Sequence, residues 1–127
     1  MIDRLWKKDA SLWAADPKTQ QEISRSLGWL DLPEKMGPRL AEILQFVSQV
    51  RAADLKKIVL LGMGGSSLAP EVLRQVFGPA LGFLELLVLD STAPQAVAYA
   101  RQWGDPKETL YLVSSKSGTT TEPLRLL

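Results

Sequence analysis

The stretch IVLLGMGGSSLAP, residues 58–70, decides the fold because a short apolar run leads directly into a glycine- and serine-rich loop. Two further apolar runs follow at 83–89 and 109–113, and helical patterns at 70–77 and 94–103 separate the three runs. This alternation is typical of a parallel sheet with crossover helices, whose strands are apolar almost throughout because helices cover both faces. The sequence therefore predicts an α/β fold with three αβα layers, in which an incomplete doubly wound parallel sheet has the strand order 2-1-3.

Two domains are expected. Residues 1–55 form an N-terminal helical segment, in which Asp16-Pro17 is a typical helix start. Residues 56–127 form the sheet domain. Its last residues, 122–127, predict a helix of only about one turn, which is too short to cover the face of a sheet. We therefore expect the sequence to be part of a longer protein, with the sheet domain truncated at its C-terminus.

Composition excludes several kinds of site. The sequence has no cysteine and no histidine, which removes disulfides, thiolate metal sites and the commonest general base. The formal net charge is +1 and the basic residues are scattered, so neither nucleic acid nor an anionic membrane is an expected partner. No apolar run approaches the roughly 20 residues of a membrane span. We expect no metal, no cofactor and a cytoplasmic location, and a homo-oligomer is left open.

The first loop, Gly62 to Pro70, is predicted to bind phosphate. Glycines let several backbone N–H groups approach one anion, assisted by the positive end of the following helix. The lysine of nucleotide-triphosphatase loops is absent. The dinucleotide-binding fingerprint is only partly present, because Gly62 and Gly64 fit it but Ser67 stands in place of its third glycine. Asp90 does stand about where a ribose-binding acid would be.

The second loop, Ser115 to Glu122, is the stronger phosphate candidate. Five hydroxyls, one ammonium and one glycine fall within its first seven residues. Hydroxyls donate to phosphate oxygens, and Lys116 adds a positive charge. A Ser/Thr-rich helix cap would explain one or two of these hydroxyls.

The order 2-1-3 would place both loops at the carboxyl ends of neighbouring strands, where ligands bind in doubly wound sheets. One phosphate clamped from two sides needs both loops, whereas a dinucleotide does not need the second one. Asp90-Ser91-Thr92, after the middle apolar run, is predicted to cap the next helix, and a contact with a sugar hydroxyl is the alternative.

The two loops together resemble the phosphoglucose isomerase family, which has a sugar isomerase (SIS) fold. GMGGSSLAP at 62–70 is similar to the family's Gly-Ile-Gly-Gly-Ser-x-Leu-Gly-Pro loop, and SKSGTTTE at 115–122 resembles its second loop. Ala69 and Ser67 depart from the family's usual glycine and aspartate. The leading segment, with its Leu-Trp pairs, further resembles the isomerase half of bacterial transaldolase–phosphoglucose isomerase fusions.

The resemblance implies the phosphate-anchoring portion of an aldose–ketose isomerase of glycolysis and gluconeogenesis, which interconverts glucose 6-phosphate and fructose 6-phosphate through an enediol. It implies no catalytic residue in this sequence, because the family's catalytic groups lie farther along the chain, so the 127 residues alone are expected to be inactive. The implied phosphate-binding residues are Gly65, Ser66, Ser115, Lys116, Ser117 and Thr120. Secondary candidates are Gly64, Ser67, Thr119 and Glu122.

Two other functions remain open. SIS folds also occur as sugar-phosphate sensors in regulators, which need the phosphate site and no catalytic base. A dinucleotide-dependent oxidoreductase is the third reading, based on Gly62, Gly64 and Asp90.

Overall fold

The computed structural model describes residues 1–126, which form two compact units. The first unit, Met1–Phe46, is helical, and the second begins at Val47 and contains the sheet. The helices of the first unit are α1 (Ile2–Trp6), α2 (Pro17–Ser26), α3 (Leu32–Met36) and the start of α4 (Leu40–Ala52), with 3-10 turns at Ala10–Leu12 and Gly28–Asp31. The predicted domain boundary between residues 55 and 56 stays a prediction.

Local capping explains where α2 begins. The Asp16 carboxylate accepts hydrogen bonds from the Thr19 backbone N–H and from the Thr19 hydroxyl, each at 2.8 Å. Pro17 occupies the first helical position, where its missing N–H costs no hydrogen bond. These bonds also lower the pKa of Asp16. The helix start predicted from Asp16-Pro17 is confirmed.

The second unit contains a parallel three-stranded sheet of order β2-β1-β3, which confirms the predicted α/β class and strand order. Lys57 in β1 is paired with Glu85 in β2 and with Thr109 in β3. The strands are β1 (Lys57–Gly62), β2 (Glu85–Leu89) and β3 (Thr109–Ser114), and the helices are α5 (Gly65–Phe77), α6 (Pro94–Trp103) and α7 (Thr121–Leu126), with a 3-10 turn at Pro106–Glu108.

The connections place helices on both faces of the sheet. Strands β2 and β3 lie on opposite sides of β1, so right-handed crossovers put α5 and α6 on opposite faces. On one face Val59, Leu61 and Leu89 form a buried cluster with Ala100 of α6. Because side chains alternate along a strand, Gly62 lies on the other face, which α5 covers.

Helix α5 begins at Gly65, so the predicted start at Pro70 is wrong. Proline is favoured at the first helical position, and the prediction relied on that preference. Here Pro70 lies inside the helix and leaves only the Ser66 carbonyl without its usual N–H donor. Most of the first loop is therefore helical.

Strand β2 begins at Glu85, two residues after the predicted start at Phe83. The preceding turn reaches farther than expected, because the Phe83 N–H donates to the Ala80 carbonyl at 3.0 Å. The predicted helix at 122–127 is present as α7 from Thr121 to Leu126, and Leu127 lies outside the described residues. Over residues 1–126, no helix is long and apolar enough to cross a membrane.

Candidate functional site

Both candidate loops leave the same edge of the sheet, which we call the carboxyl edge, where β1 ends at Gly62 and β3 ends at Ser114. These two residues are paired in the register of the parallel strands. The first loop follows Gly62 and the second follows Ser114. The two loops therefore begin side by side, although these residues are more than fifty positions apart in the sequence. The prediction that the loops follow neighbouring strands is confirmed.

Gly62 has little space for a side chain. A Cβ atom there would lie 3.2 Å from the carbonyl oxygens of both Ser114 and Ser66. Contacts this short to backbone atoms would force the end of β3 or the start of α5 to move. The glycine therefore lets α5 approach the junction of the two strands. The sequence did not predict this role, because a glycine at a strand end is only a weak signal for it.

A tight turn joins β1 to α5. The Ser66 N–H donates to the Met63 carbonyl at 3.1 Å, across Gly64 and Gly65. Gly64 has φ 54° and ψ −123°, a conformation that is open to glycine and strained for other residues. Space around both glycines is open, since a Cβ on either would meet no atom within 4 Å.

The turn leaves backbone donors facing open space. Within residues 1–126, neither the Gly64 nor the Gly65 N–H donates a hydrogen bond. Both lie at the N-terminus of α5, a 13-residue helix whose dipole favours an anion there. The neighbouring Ser66 is half-buried. Chemically, this arrangement can hold an anion through main-chain N–H groups.

Ser67 has a different position from the other candidates. It is only 2% exposed, and its hydroxyl donates to the Gly64 carbonyl at 2.9 Å. The Ser67 side chain therefore stabilises the turn and does not face the open space beside it.

Hydroxyl groups dominate the second loop and bond to each other. The Ser115 Oγ accepts from the Gly118 N–H at 3.0 Å and lies 3.1 Å from the Thr120 Oγ1. Gly118 has φ 69°, so this turn also depends on a glycine. Whichever of Ser115 and Thr120 donates to the other, one hydroxyl hydrogen of the pair remains for a ligand.

A second hydroxyl pair follows. The Ser117 Oγ accepts from the Thr119 N–H at 3.1 Å and from the Thr119 hydroxyl at 2.9 Å. With both lone pairs occupied, Ser117 keeps its own hydrogen available as a donor, whereas Thr119 has committed its hydrogen.

The charged residues of the second loop are exposed. Lys116 forms no ion pair with any residue in the described part of the chain, so its ammonium is available to an anion. Glu122 lies in the first turn of α7 and is also exposed. No group of acidic residues within 1–126 could hold a metal ion.

The segment after β2 does not cap α6 with a side chain, so that prediction is wrong. Ser91 Oγ instead accepts from the Ala93 N–H at 3.1 Å, one residue before Pro94, which has no N–H to cap. Asp90 is exposed, and its carboxylate forms no hydrogen bond or ion pair with another described residue. Its proposed contact with a sugar hydroxyl stays a prediction.

All candidate residues therefore lie in the two loops at the carboxyl edge, and their binding of phosphate stays a prediction. They are Gly64, Gly65, Ser66, Ser67, Ser115, Lys116, Ser117, Thr119, Thr120 and Glu122. A cavity of about 760 Å³ lies elsewhere, beside β2 between residues of α5 and α6, and none of the candidates lines it.

Comparison with known proteins finds a match between residues 39–125 and the family model described as phosphoglucose isomerase. Glucose-6-phosphate isomerase of Thermus thermophilus is 36% identical over 105 residues, which cover 81% of this chain and 24% of the relative. The enzyme of the same name from Campylobacter jejuni is 33% identical over 104 residues, covering 81% and 25%. That of Trichormus variabilis is 28% identical over 127 residues, covering 97% and 22%.

The chain thus spans about a quarter of the length of the curated relatives it matches. No solved structure matches it.

Proposed function

This chain belongs to the phosphoglucose isomerase family, and on that premise we propose that it supplies the phosphate-anchoring part of an enzyme that interconverts glucose 6-phosphate and fructose 6-phosphate. Relatives that carry the name glucose-6-phosphate isomerase align with most of the chain. The phosphate group of either sugar would lie at the carboxyl edge, between the two loops.

The pairing of Gly62 with Ser114 is the observation that carries the proposal. It brings two different sets of donors to one edge. The first loop offers the N–H groups of Gly64 and Gly65, and the second offers hydroxyl hydrogens and the Lys116 ammonium. A phosphate dianion has three terminal oxygens that accept several such bonds.

Anchoring the phosphate would help a reaction at the other end of the sugar. Binding energy from a non-reacting group holds the reacting carbons in position and reduces the entropy lost on reaching the transition state. The proton transfer itself needs a base. Glu122 is the only acid in the two loops, and we assign it no catalytic role. We expect the 127-residue chain to bind sugar phosphate without turning it over.

Binding can be measured by titrating the ¹⁵N-labelled chain and following its amide resonances. Glucose 6-phosphate, fructose 6-phosphate and inorganic phosphate should shift the amides of Gly64, Gly65 and residues 115–120, and glucose should not. If glucose 6-phosphate moves none of these resonances, or if glucose moves them equally, the proposal is wrong.

A matched pair of lysine variants tests the location. Lys116→Gln should raise the Kd for glucose 6-phosphate by roughly tenfold, because a charge-assisted hydrogen bond is lost. Lys107→Gln removes the same charge from the 3-10 turn before β3, at the opposite edge of the sheet, and should change the Kd by less than about twofold. Equal effects would indicate a diffuse charge effect and no phosphate site at the carboxyl edge.

The alternatives give different results. A coupled assay for fructose 6-phosphate should detect turnover by a longer protein that includes this chain, whereas a regulatory module would bind the sugar phosphate without turnover. NAD binding with no response to sugar phosphates would favour the oxidoreductase reading. The cytoplasmic location, the homo-oligomer and the transaldolase fusion stay predictions.

A further inference from the structure

Three donors converge on one carbonyl oxygen in the first loop. The Gly64 carbonyl accepts from the Ser67 N–H at 3.1 Å, from the Leu68 N–H at 3.0 Å and from the Ser67 hydroxyl at 2.9 Å. The two N–H bonds are those of a helix beginning with a tight turn. The hydroxyl bond is additional, and only a side chain with a donor at position 67 can make it.

The direction of this carbonyl determines the direction of an N–H group. Gly64 C=O and Gly65 N–H belong to one peptide group, which is planar and trans, so they point in opposite directions. Because the carbonyl is held toward the first turn of α5, the Gly65 N–H points away from the helix. The space on that side is open, and this N–H has no acceptor within the described part of the chain.

Glycine by itself would not hold this direction. Gly64 and Gly65 have no side chains to restrict rotation of the peptide group between them, and neither contacts a neighbour at the Cβ position. The local restraints are therefore the Ser66 N–H bond to the Met63 carbonyl, which spans both glycines, and the three bonds to the Gly64 carbonyl. Of these four, only the bond from the Ser67 hydroxyl depends on a side chain.

We propose that Ser67 is a positioning residue that holds the Gly65 N–H toward the phosphate without touching the ligand. This inference rests on the proposed function, since it assumes that the anion binds at the first loop. It replaces the expectation that Ser67 contacts phosphate. A side chain only 2% exposed would have to leave its bond to Gly64 to reach a ligand.

The variant Ser67→Ala, in the complete 127-residue chain, tests the inference. The Kd for inorganic phosphate should rise roughly three- to tenfold, the factor expected when one neutral hydrogen bond that orients the site is lost. Amide shifts on phosphate addition should shrink at Gly65 and persist at Ser117. An unchanged Kd together with an unchanged Gly65 response would overturn the inference.

Thr109→Val is the matched control. Thr109 is also buried, and its hydroxyl also donates to a backbone carbonyl, that of Asp105, at 2.7 Å. This bond lies at the opposite edge of the sheet, so its loss should lower stability while changing the Kd for phosphate by less than about twofold. If both variants weaken binding equally, Ser67 acts only through stability and the inference is wrong.

A measurement without ligand separates this inference from the proposed function. The ¹⁵N order parameter of Gly65 should be near 0.85 in the wild type, as in rigid backbone, and roughly 0.6 or lower in Ser67→Ala. A mobile Gly65 N–H in the wild type would overturn the positioning role even if phosphate binds. No phosphate binding by a wild type with a rigid Gly65 would overturn the proposed function, and the ligand-directed part of the inference with it.

Ser67→Cys separates the hydrogen bond from the volume of the side chain. Its thiol fills similar space and is a weak donor. We expect a Kd between those of the wild type and Ser67→Ala. Full wild-type affinity in the cysteine variant would assign the effect to packing and contradict the inference.

Discussion

The two loops at the carboxyl edge offer donors to an anion in different ways. In the first loop, donors are backbone N–H groups, and hydrogen bonds to the Gly64 carbonyl hold the turn. In the second, the donors are hydroxyls that bond to each other in pairs, Ser115 with Thr120 and Ser117 with Thr119. Hydroxyls rotate freely about their C–O bonds, whereas a peptide N–H is fixed by the backbone.

This difference suggests a division of labour. The first loop is preorganised, so an anion binding there loses little free energy to reorganisation. In the second loop, the hydroxyl hydrogens of Ser117 and of one member of the Ser115–Thr120 pair are not committed to each other and can turn toward the ligand.

Gly62→Ala should disturb both loops at once. Its Cβ would press on the carbonyl oxygens of Ser66 and Ser114, so we expect a loss of about 2 kcal/mol in the free energy of unfolding, measured by urea denaturation. Phosphate-induced shifts should weaken in both loops. Gly28→Ala is the control, because a Cβ there would meet no atom within 4 Å. A stable Gly62→Ala protein with full binding would show that the close approach of α5 is dispensable.

Ser115→Ala should weaken binding through the second loop alone. The Ser115 Oγ holds the Gly118 N–H and shares a hydrogen with Thr120, so its removal loosens the turn and removes a donor. The Kd for glucose 6-phosphate should rise roughly thirtyfold. The Gly65 amide should still shift when phosphate is added at saturating concentration. Loss of the Gly65 response at saturation would mean that the loops are not separable in this way.

Ser117→Ala and Thr119→Ala should differ although the residues are two positions apart. Ser117 keeps a hydrogen for the ligand, and Thr119 has donated its hydrogen to Ser117. We expect the Kd to rise roughly tenfold for Ser117→Ala and less than about twofold for Thr119→Ala. Calorimetric titration with glucose 6-phosphate measures both. A larger effect at Thr119 would show that the hydroxyl bonds rearrange on binding.

The last prediction concerns how folding stability depends on pH through Glu71, in the helix that follows the first loop. In α5, hydrogen bonds from Arg74 and then Gln75 lower the pKa of Glu71 from 4.5 to about 2. Because the folded-state pKa is depressed, its stabilisation is present above pH 4.5 and is lost as the pH falls from 4.5 through about 2. Glu71→Gln should flatten the stability profile in this range. Added salt should reduce the difference in stability between the wild type and Glu71→Gln, because the Glu71–Arg74 ion pair is near the surface.

Much of the fold could be predicted from residues that are close together in sequence. The apolar runs at β1 and β3 and the helix start at Asp16-Pro17 reflect local periodicity and capping, and they were confirmed. Two of the predictions that were wrong concern element boundaries, where the same residue type is compatible with two different structures. Pro70 is favoured at the first position of a helix, but it lies at the sixth position of α5, which begins at Gly65. The turn through Phe83 shortens β2 although that residue is apolar.

The sequence by itself determined the order of strands and helices, the α/β class, the two donor-rich loops and the absence of cysteine and histidine. These properties follow from the hydrophobic periodicity, the residue types in the turns and the composition. The tertiary structure alone decided that Gly62 is pressed between Ser66 and Ser114, that Ser67 turns inward and that Thr119 donates its hydroxyl hydrogen to Ser117. Each of these depends on the direction of a particular group and on the space between groups. The pattern of residue types along the chain does not specify these directions and spaces, because they are set only when the folded backbone has formed its hydrogen bonds.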